Sequence, residues 1–430
     1  MKTMKMRVFA TVTLISVMTS ACSSENKESL KVTQVKQQQT SSYSPNPVDV
    51  KRLQETKQCQ GCNLAGANLS SANLKKANLQ GADLRAANLS GANLSEVNLT
   101  QADLRQANLS KTNLQGAKLT AAQLNWSGDS PNTRANFRQA DLSKANLITA
   151  YLRGADLSEA NLSGAYLHAT DLNQAILIKA NLSKADLAGV KLSNADLTNA
   201  NLQYATLLGV SLNGANLSNA NMQYANLESA SLIRANLNGA NLNKARLFLA
   251  KLDGANLSGA NLSGANLFTA TLPNTELSNA NMQKAYLHSA DLTKANLSGT
   301  NLIQSDLSAA LLNGANLSNA NLKDSNLKRS SLTGANLSNV NLQGSNLQGA
   351  DLTEANLTQA DMTKTNLAQA YLTKTDLGSA NLQGATLNGA KLSGANLKNT
   401  NLKNVVGFNK PLISSDGQQS GLHTSPNQHN

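Results

Sequence analysis

The chain has 430 residues, of which only 3% are aromatic and 14% charged. So few rings do not make an ordinary globular core, and so few charges do not make a charge-driven disordered chain. The formal net charge of +12 favours anionic partners and does not suit a role that requires imitating a polyanion.

The chain opens with a targeting pattern. Lys2, Lys5 and Arg7 form a basic start, Val8 to Met18 a short apolar run, and Thr19-Ser20-Ala21-Cys22 the small residues that precede a cleavage point. The apolar run is too short to cross a bilayer comfortably, so residues 1–21 read as a cleaved signal peptide. The arrangement resembles a bacterial lipoprotein signal, although Thr19 stands where leucine is usual. That resemblance implies that Cys22 is acylated and that the protein sits on the extracytoplasmic side of a membrane. Without acylation, the same segment implies a secreted or periplasmic protein.

Residues 22–56 begin as a Ser-, Gln- and Lys-rich tether that reads as disordered to about Asn46. Pro47 to Lys57 fit one short capping helix, with Asp49 as its N-cap and Leu53 facing inward. From there a five-residue period takes over, clear in Ala67-Asn68-Leu69-Ser70-Ser71 and Ala72-Asn73-Leu74-Lys75-Lys76, and fills a block at 57–124. Residues 125–134 interrupt it with Gly, Pro, Asp and Ser, which read as a protruding loop around Trp126, the single tryptophan. A second block, opening with Ala135-Asn136-Phe137, fills 135–404. Residues 405–430 read as a cap, with Val405, Val406 and Phe408, followed by a disordered tail.

A period of five fits neither the 3.6 of a helix nor the 2.0 of a strand. It fits a coil that turns a corner every five residues, with the leucine and the alanine two positions before it pointing inward. The units resemble the pentapeptide repeat family, whose pattern is A(D/N)LXX, over about four-fifths of the chain. The resemblance implies an all-β fold, a right-handed quadrilateral β-helix with twenty residues per coil. At ordinary inter-strand spacing, some 17 coils would form a rod of roughly 80 Å.

Several residues stand out against the repeat. Cys59 and Cys62 fall on inward positions of the first coil and read either as two small apolar caps or as a disulfide. Sorted on the implied coil of twenty, Tyr151, Tyr166, Tyr204, Tyr224, Phe248, Phe268, Tyr286 and Tyr371 fall on one side of the rod or its bordering corners. His168, His288, Ile148 and Leu208 share the Phe248 column. Lys144, Lys184, Lys244 and Lys284 share the Tyr204 column and read as a basic edge. Such a side is either a coil-to-coil stack that adds only stability or a docking face. Within it, Tyr166-Leu167-His168 recurs as Tyr286-Leu287-His288. His168 with Asp171 and Asp186, and His288 with Asp291 and Asp306, supply donor types that suit a divalent metal, but duplicated coils explain the recurrence equally.

The parts of an enzyme are missing from the sequence. His168 and His288 lie six implied coils apart, roughly 29 Å, and cannot share a site. The sequence contains no phosphate-binding glycine loop and no HExxH pair, and nothing in it calls for a cofactor. Some members of the resembled family mimic DNA and modulate topoisomerases; a basic chain with an export signal departs from that role, and nucleic acid is not its expected partner. The expectation is a lipid-anchored binding or scaffold rod whose aromatic side meets a protein partner or a second copy. The alternative is an envelope-surface binder whose lysines engage anionic lipid or acidic glycan.

Overall fold

The computed structural model describes residues 43–124 and 134–408, which form one right-handed quadrilateral β-helix preceded by a single helix, α1 (Pro47–Thr56). Each outward residue that precedes a core leucine pairs in parallel with the residue twenty positions later, as in Asn161↔Asn181↔Asn201. Four five-residue units therefore complete a coil. In chain order from Asn161, the four sides are marked by Asn161 (first), Tyr166 (second), Asp171 (third) and Ile176 (fourth).

One unit shows why the period is five. Leu182 is buried, Ser183 and Lys184 make the corner, and Ala185 N donates back to Leu182 O at 3.1 Å to close a β-turn. The second corner residue is left-handed, with φ 57° at Lys184, as a type II turn requires. The chain leaves that turn with Ala185 inward, and only a small side chain fits beside the leucine columns. Where serine or threonine replaces this alanine, the buried hydroxyl donates to a leucine carbonyl, as in Ser305 to Leu302 O at 2.6 Å and Thr170 to Leu147 O at 2.7 Å. A polar atom is thereby tolerated in the core.

The two repeat blocks are one solenoid. Asn108 pairs with Asn136 and Gln123 with Tyr151, a step of 28 rather than 20, so the interruption adds eight residues between the third and fourth sides. Phe137 takes the leucine position on re-entry and is fully buried. Trp126 lies outside the described residues, as do Cys22, the rest of the signal and the tail beyond Phe408.

The N-terminal end is closed. α1 buries Leu53, and its N-cap is Asn46, whose Oδ1 accepts from Val48 N at 2.9 Å, rather than the expected Asp49. Pro47 fixes the first turn and moves the cap back to Asn46. Asp49 instead ties the helix to the first coil by accepting from Asn63 N at 2.9 Å. Residues 43–46, expected in the tether, are held against the coils: Asn46 N donates to Asn63 O at 2.9 Å and the Arg85 guanidinium lies over the Tyr43 ring. Gly66 is required here: a Cβ would fall 2.7 Å from Tyr43 O, and φ is +72°. Cys59 and Cys62 form a disulfide with both residues buried. At the other end, Val405 and Phe408 pack partly against the core. Val406 does not cap: it takes an outward pairing position opposite Thr386 and is 55% exposed.

A candidate recognition surface on two sides of the coil

The first and fourth sides are largely occupied by amide ladders. On the first, Asn181 donates to Asn161, Asn201 to Asn181, Asn241 to Asn221, Asn261 to Asn241, Asn281 to Asn261 and Asn301 to Asn281, all at 3.1–3.3 Å. On the fourth, Asn316 donates to Asn296, Asn336 to Asn316 and Asn356 to Asn336. The same Oδ1 atoms accept from the backbone two residues ahead, as Asn181 Oδ1 does from Ser183 N. Asparagine thus braces both the turn and the coil stack. Where Glu276 enters the fourth side, partial burial alone would raise its carboxyl, but donors on Ser278 and Asn296 outweigh this and hold it below its ordinary range.

The second side keeps only short ladder stretches, Asn98 to Asn78, Asn326 to Asp306 and Asn366 to Asn346, and the third has none among the described residues. Every large hydrophobic residue of the coils that is clearly exposed, among the described residues, lies on these two sides or on the corners bounding the second. Tyr166, Tyr286 and Val406 stand on the second side. Tyr204 and Tyr224 sit at the corner before it, and Leu208, Leu249, Phe268 and His168 at the corner after it. Tyr151 and Tyr371, expected with the other aromatics on one side or its bordering corners, stand at pairing positions on the third side, with Leu311. Leu249 and Leu311 are not among the residues expected there, because aliphatics enter that expectation only in the Phe248 column, and Val406 is expected in the cap; sorting every aliphatic by coil position finds all three.

Some of these rings cover one another. Tyr204 and Tyr224 stack at 5.0 Å, Phe248 and Phe268 at 5.5 Å, and Phe268 and His288 at 5.4 Å. Phe248, expected to be exposed, is half-buried in this stack. Tyr204, Tyr224 and Leu249 occupy left-handed corner positions, with φ 60°, 59° and 57°. A bulky residue there works against the backbone preference, which points to a use for the exposed side chain.

The basic column is not a continuous edge. Gly164, Gly264, Tyr204 and Tyr224 interrupt Lys144, Lys184, Lys244 and Lys284, and Lys244 Nζ lies over the Tyr224 ring at 5.5 Å. On the third side, Lys391 lies over Tyr371 at 4.6 Å. Near the N-terminal end, the third side carries Asp83 and Asp103 paired with Arg85 and Arg105 at 2.6 Å. The hydrogen bond from Arg85 holds the Asp83 carboxyl below its ordinary value of 3.8.

No group of His, Cys, Asp or Glu suited to a metal occurs among the described residues. Asp171 and Asp291 stand on the third side, around the corner from Asp186 and Asp306 on the second. His288 Nδ1 bonds to Ser308 Oγ at 2.7 Å, and that hydroxyl donates to Asp306 at 2.6 Å. No described helix is long and apolar enough to cross a membrane.

The repeat-family model described as pentapeptide repeats matches residues 58–125 and 133–404 in overlapping segments. The chain belongs to the pentapeptide repeat family. It is similar to HetL, a pentapeptide repeat protein involved in heterocyst differentiation regulation from the cyanobacterium Nostoc. That likeness has 33% identity over 50% of this chain and 92% of HetL, with a TM-score of 0.42. A pentapeptide repeat protein from the Arabidopsis thaliana thylakoid lumen is 37% identical over 25% of this chain and 70% of its own, with a TM-score of 0.15. QnrB1, a plasmid-mediated fluoroquinolone resistance protein, is 22% identical over 41% of this chain and 84% of its own, at a TM-score of 0.23. No curated protein matches significantly. As a pentapeptide repeat protein, the chain is a scaffold-type solenoid, and what distinguishes it is the content of its second and third sides.

Proposed function

We propose that this pentapeptide repeat protein is a non-enzymatic binding rod held on the extracytoplasmic side of a membrane through Cys22, and that it recognises an envelope partner with its second and third sides. One observation carries the reading: the clearly exposed large apolar residues of the coils are confined to those sides and their corners, while the other two sides are spent on ladders. Large apolar residues exposed on only part of a surface mark contact sites. Lysine charge is the weaker candidate driver, because Lys244 and Lys391 are engaged with tyrosine rings.

Two measurements test it. Incorporation of labelled fatty acid should depend on Cys22; label retained by Cys22→Ser protein would remove the anchor from the account. The Cys22→Ser chain should then cosediment with isolated envelope fragments and should do so at raised salt, where exposed charge pairs are screened. Leu208→Glu with Leu249→Glu should abolish cosedimentation, and Asn219→Glu, at the corner between the ladder sides, should not. Equal behaviour of the two variants would reject the assignment of the binding sides.

A further inference from the structure

Two stretches of the second side carry the same arrangement. Reading up the coils, one is Lys118, Asn146, Tyr166, Asp186 and the other Arg246, Asn266, Tyr286, Asp306, each residue paired with the next. At the adjoining corner the first has Ile148 and His168, the second Phe268 and His288. The copies are 120 residues, six coils, apart, or roughly 29 Å at inter-strand spacing. Plain duplication would leave likeness spread around the coil. Elsewhere on the same coils the likeness is thinner: Ser158 and Ser278, Asp171 and Asp291, and Asn181 and Asn301 match, but Arg153 stands against Pro273, Ile176 against Asn296, Lys179 against Gly299 and Lys191 against Leu311. The likeness is densest on the second side and the corner after it.

The two copies share their ring, amide and carboxylate and differ in the bonds around them. The tyrosine faces are uncovered: Tyr166 and Tyr286 are 53% and 59% exposed, and neither joins a ring stack or cation contact among the described residues. The ladder is broken on either side of each ring. Asn146 and Asn266 use Oδ1 to accept from Ile148 N and Phe268 N. Their Nδ2 groups face a cation one coil earlier, Lys118 or Arg246, which cannot accept. Asp186 and Asp306 accept from the backbone through Oδ1, Asp306 also from Ser308 Oγ and Asn326 Nδ2, and their Oδ2 atoms have no partner among the described residues. In the second copy, Asn266, Phe268, Tyr286, His288 and Asp306 line a shallow depression of about 420 Å³.

We propose that these are two equivalent subsites for one linear, uncharged glycan lying along the second side. A pyranose presents a flat C–H face that packs on an exposed tyrosine ring, and hydroxyls that both accept from the Asn Nδ2 and donate to the Asp Oδ2. Each copy carries one cation and one carboxylate along the second side, and Arg246 is in addition paired with Glu228 at 3.1 Å, a balance that suits a neutral ligand rather than a polyanion. The repeat along the rod suits a polymer, because a chain reaching both subsites gains from their linkage without new contacts.

This inference rests on the second side being a partner surface and names that partner. The test is affinity electrophoresis of the full-length chain in native gels containing soluble neutral polysaccharides (β-1,4-, β-1,3- and α-1,4-glucan and mannan), with alginate as the anionic comparison. At least one neutral polymer should retard the protein, with little change on adding salt. Tyr166→Ala or Tyr286→Ala should each weaken binding about a hundredfold by ending bivalent engagement, Tyr286→Phe should retain it, and the double alanine variant should run as in an empty gel. Circular dichroism should show that all four keep the fold. Retardation by alginate alone, by no polymer, or equally of the double variant would overturn the proposal. In any of those cases, envelope cosedimentation that remains sensitive to Leu208→Glu and Leu249→Glu would show that the binding sides stand and only the glycan is wrong.

Discussion

Asn201 Nδ2 donates to Asn181 Oδ1 one coil earlier at 3.1 Å, while Asn266, on the second side, has Arg246 one coil earlier and no acceptor there. The amide Nδ2 at the same repeat position is thus tied into a ladder on one side and left out of one on another. Asn201→Asp keeps the acceptor of that bond's neighbours but loses the donor, and should cost about 0.5–1.5 kcal/mol in chemical denaturation. Asn266→Asp should cost less than about 0.5 kcal/mol, with Arg246 one coil earlier favouring a carboxylate. Equal losses would mean that the ladders do not distinguish the sides.

The interior is tested by size. Ala255 is buried beside the leucine columns, so Ala255→Phe should destabilise by about 1–3 kcal/mol or more. Outward Ser258→Phe gives up hydrogen bonds to Asn256 and from Asn238 but overfills nothing, and should cost less, about 1 kcal/mol. Calorimetric unfolding of the two variants compares them directly.

The Phe248–Phe268 stack separates two uses of a ring. Phe248 is half-buried and lies against Phe268, which also meets His288. Phe248→Ala with Phe268→Ala should therefore lower stability by about 1 kcal/mol, whereas Tyr166→Ala, whose ring touches no other, should leave the unfolding midpoint in place.

Acid should expose the third-side ion pair. Because Arg85 lowers the Asp83 pKa in the folded state, the stability this carboxylate contributes is complete above its unfolded value of 3.8 and is lost as pH falls through the lower folded value. Unfolding midpoints of the native chain and Asp83→Asn should differ at neutral pH and converge below pH 3.8.

Much of this architecture can be read in the sequence, and the reasons are local. The leucine period specifies the coil because a turn every five residues leaves no other arrangement that buries Leu182, Leu187 and their equivalents together. Sorting by twenty brings Phe248 to Phe268 and Tyr204 to Tyr224, since stacked coils put equivalent positions in register. What sequence could not supply is orientation at close range. Whether Phe248 is covered by its neighbour, whether Lys244 points to solvent or over Tyr224, and whether Asn46 or Asp49 caps α1 depend on rotamers and on the approach of one coil to the next. Asp171 and His168 are three residues apart in sequence but are separated by a corner, which is why a chain-adjacent metal pattern does not become a site.

The most direct test of the central claim, that the second and third sides meet the partner, is site-specific labelling of the bound rod. Leu249 and Asn219 occupy the same left-handed corner position, one after the second side and the other between the two ladder sides. With Cys22 replaced by serine and Cys59 and Cys62 joined, Leu249→Cys and Asn219→Cys each offer one thiol to maleimide. Both should react freely in the unbound chain. On envelope fragments, Leu249→Cys should be shielded and Asn219→Cys should react as before. Shielding of Asn219→Cys with Leu249→Cys left reactive, or no shielding of either in the cosedimented protein, would contradict the account.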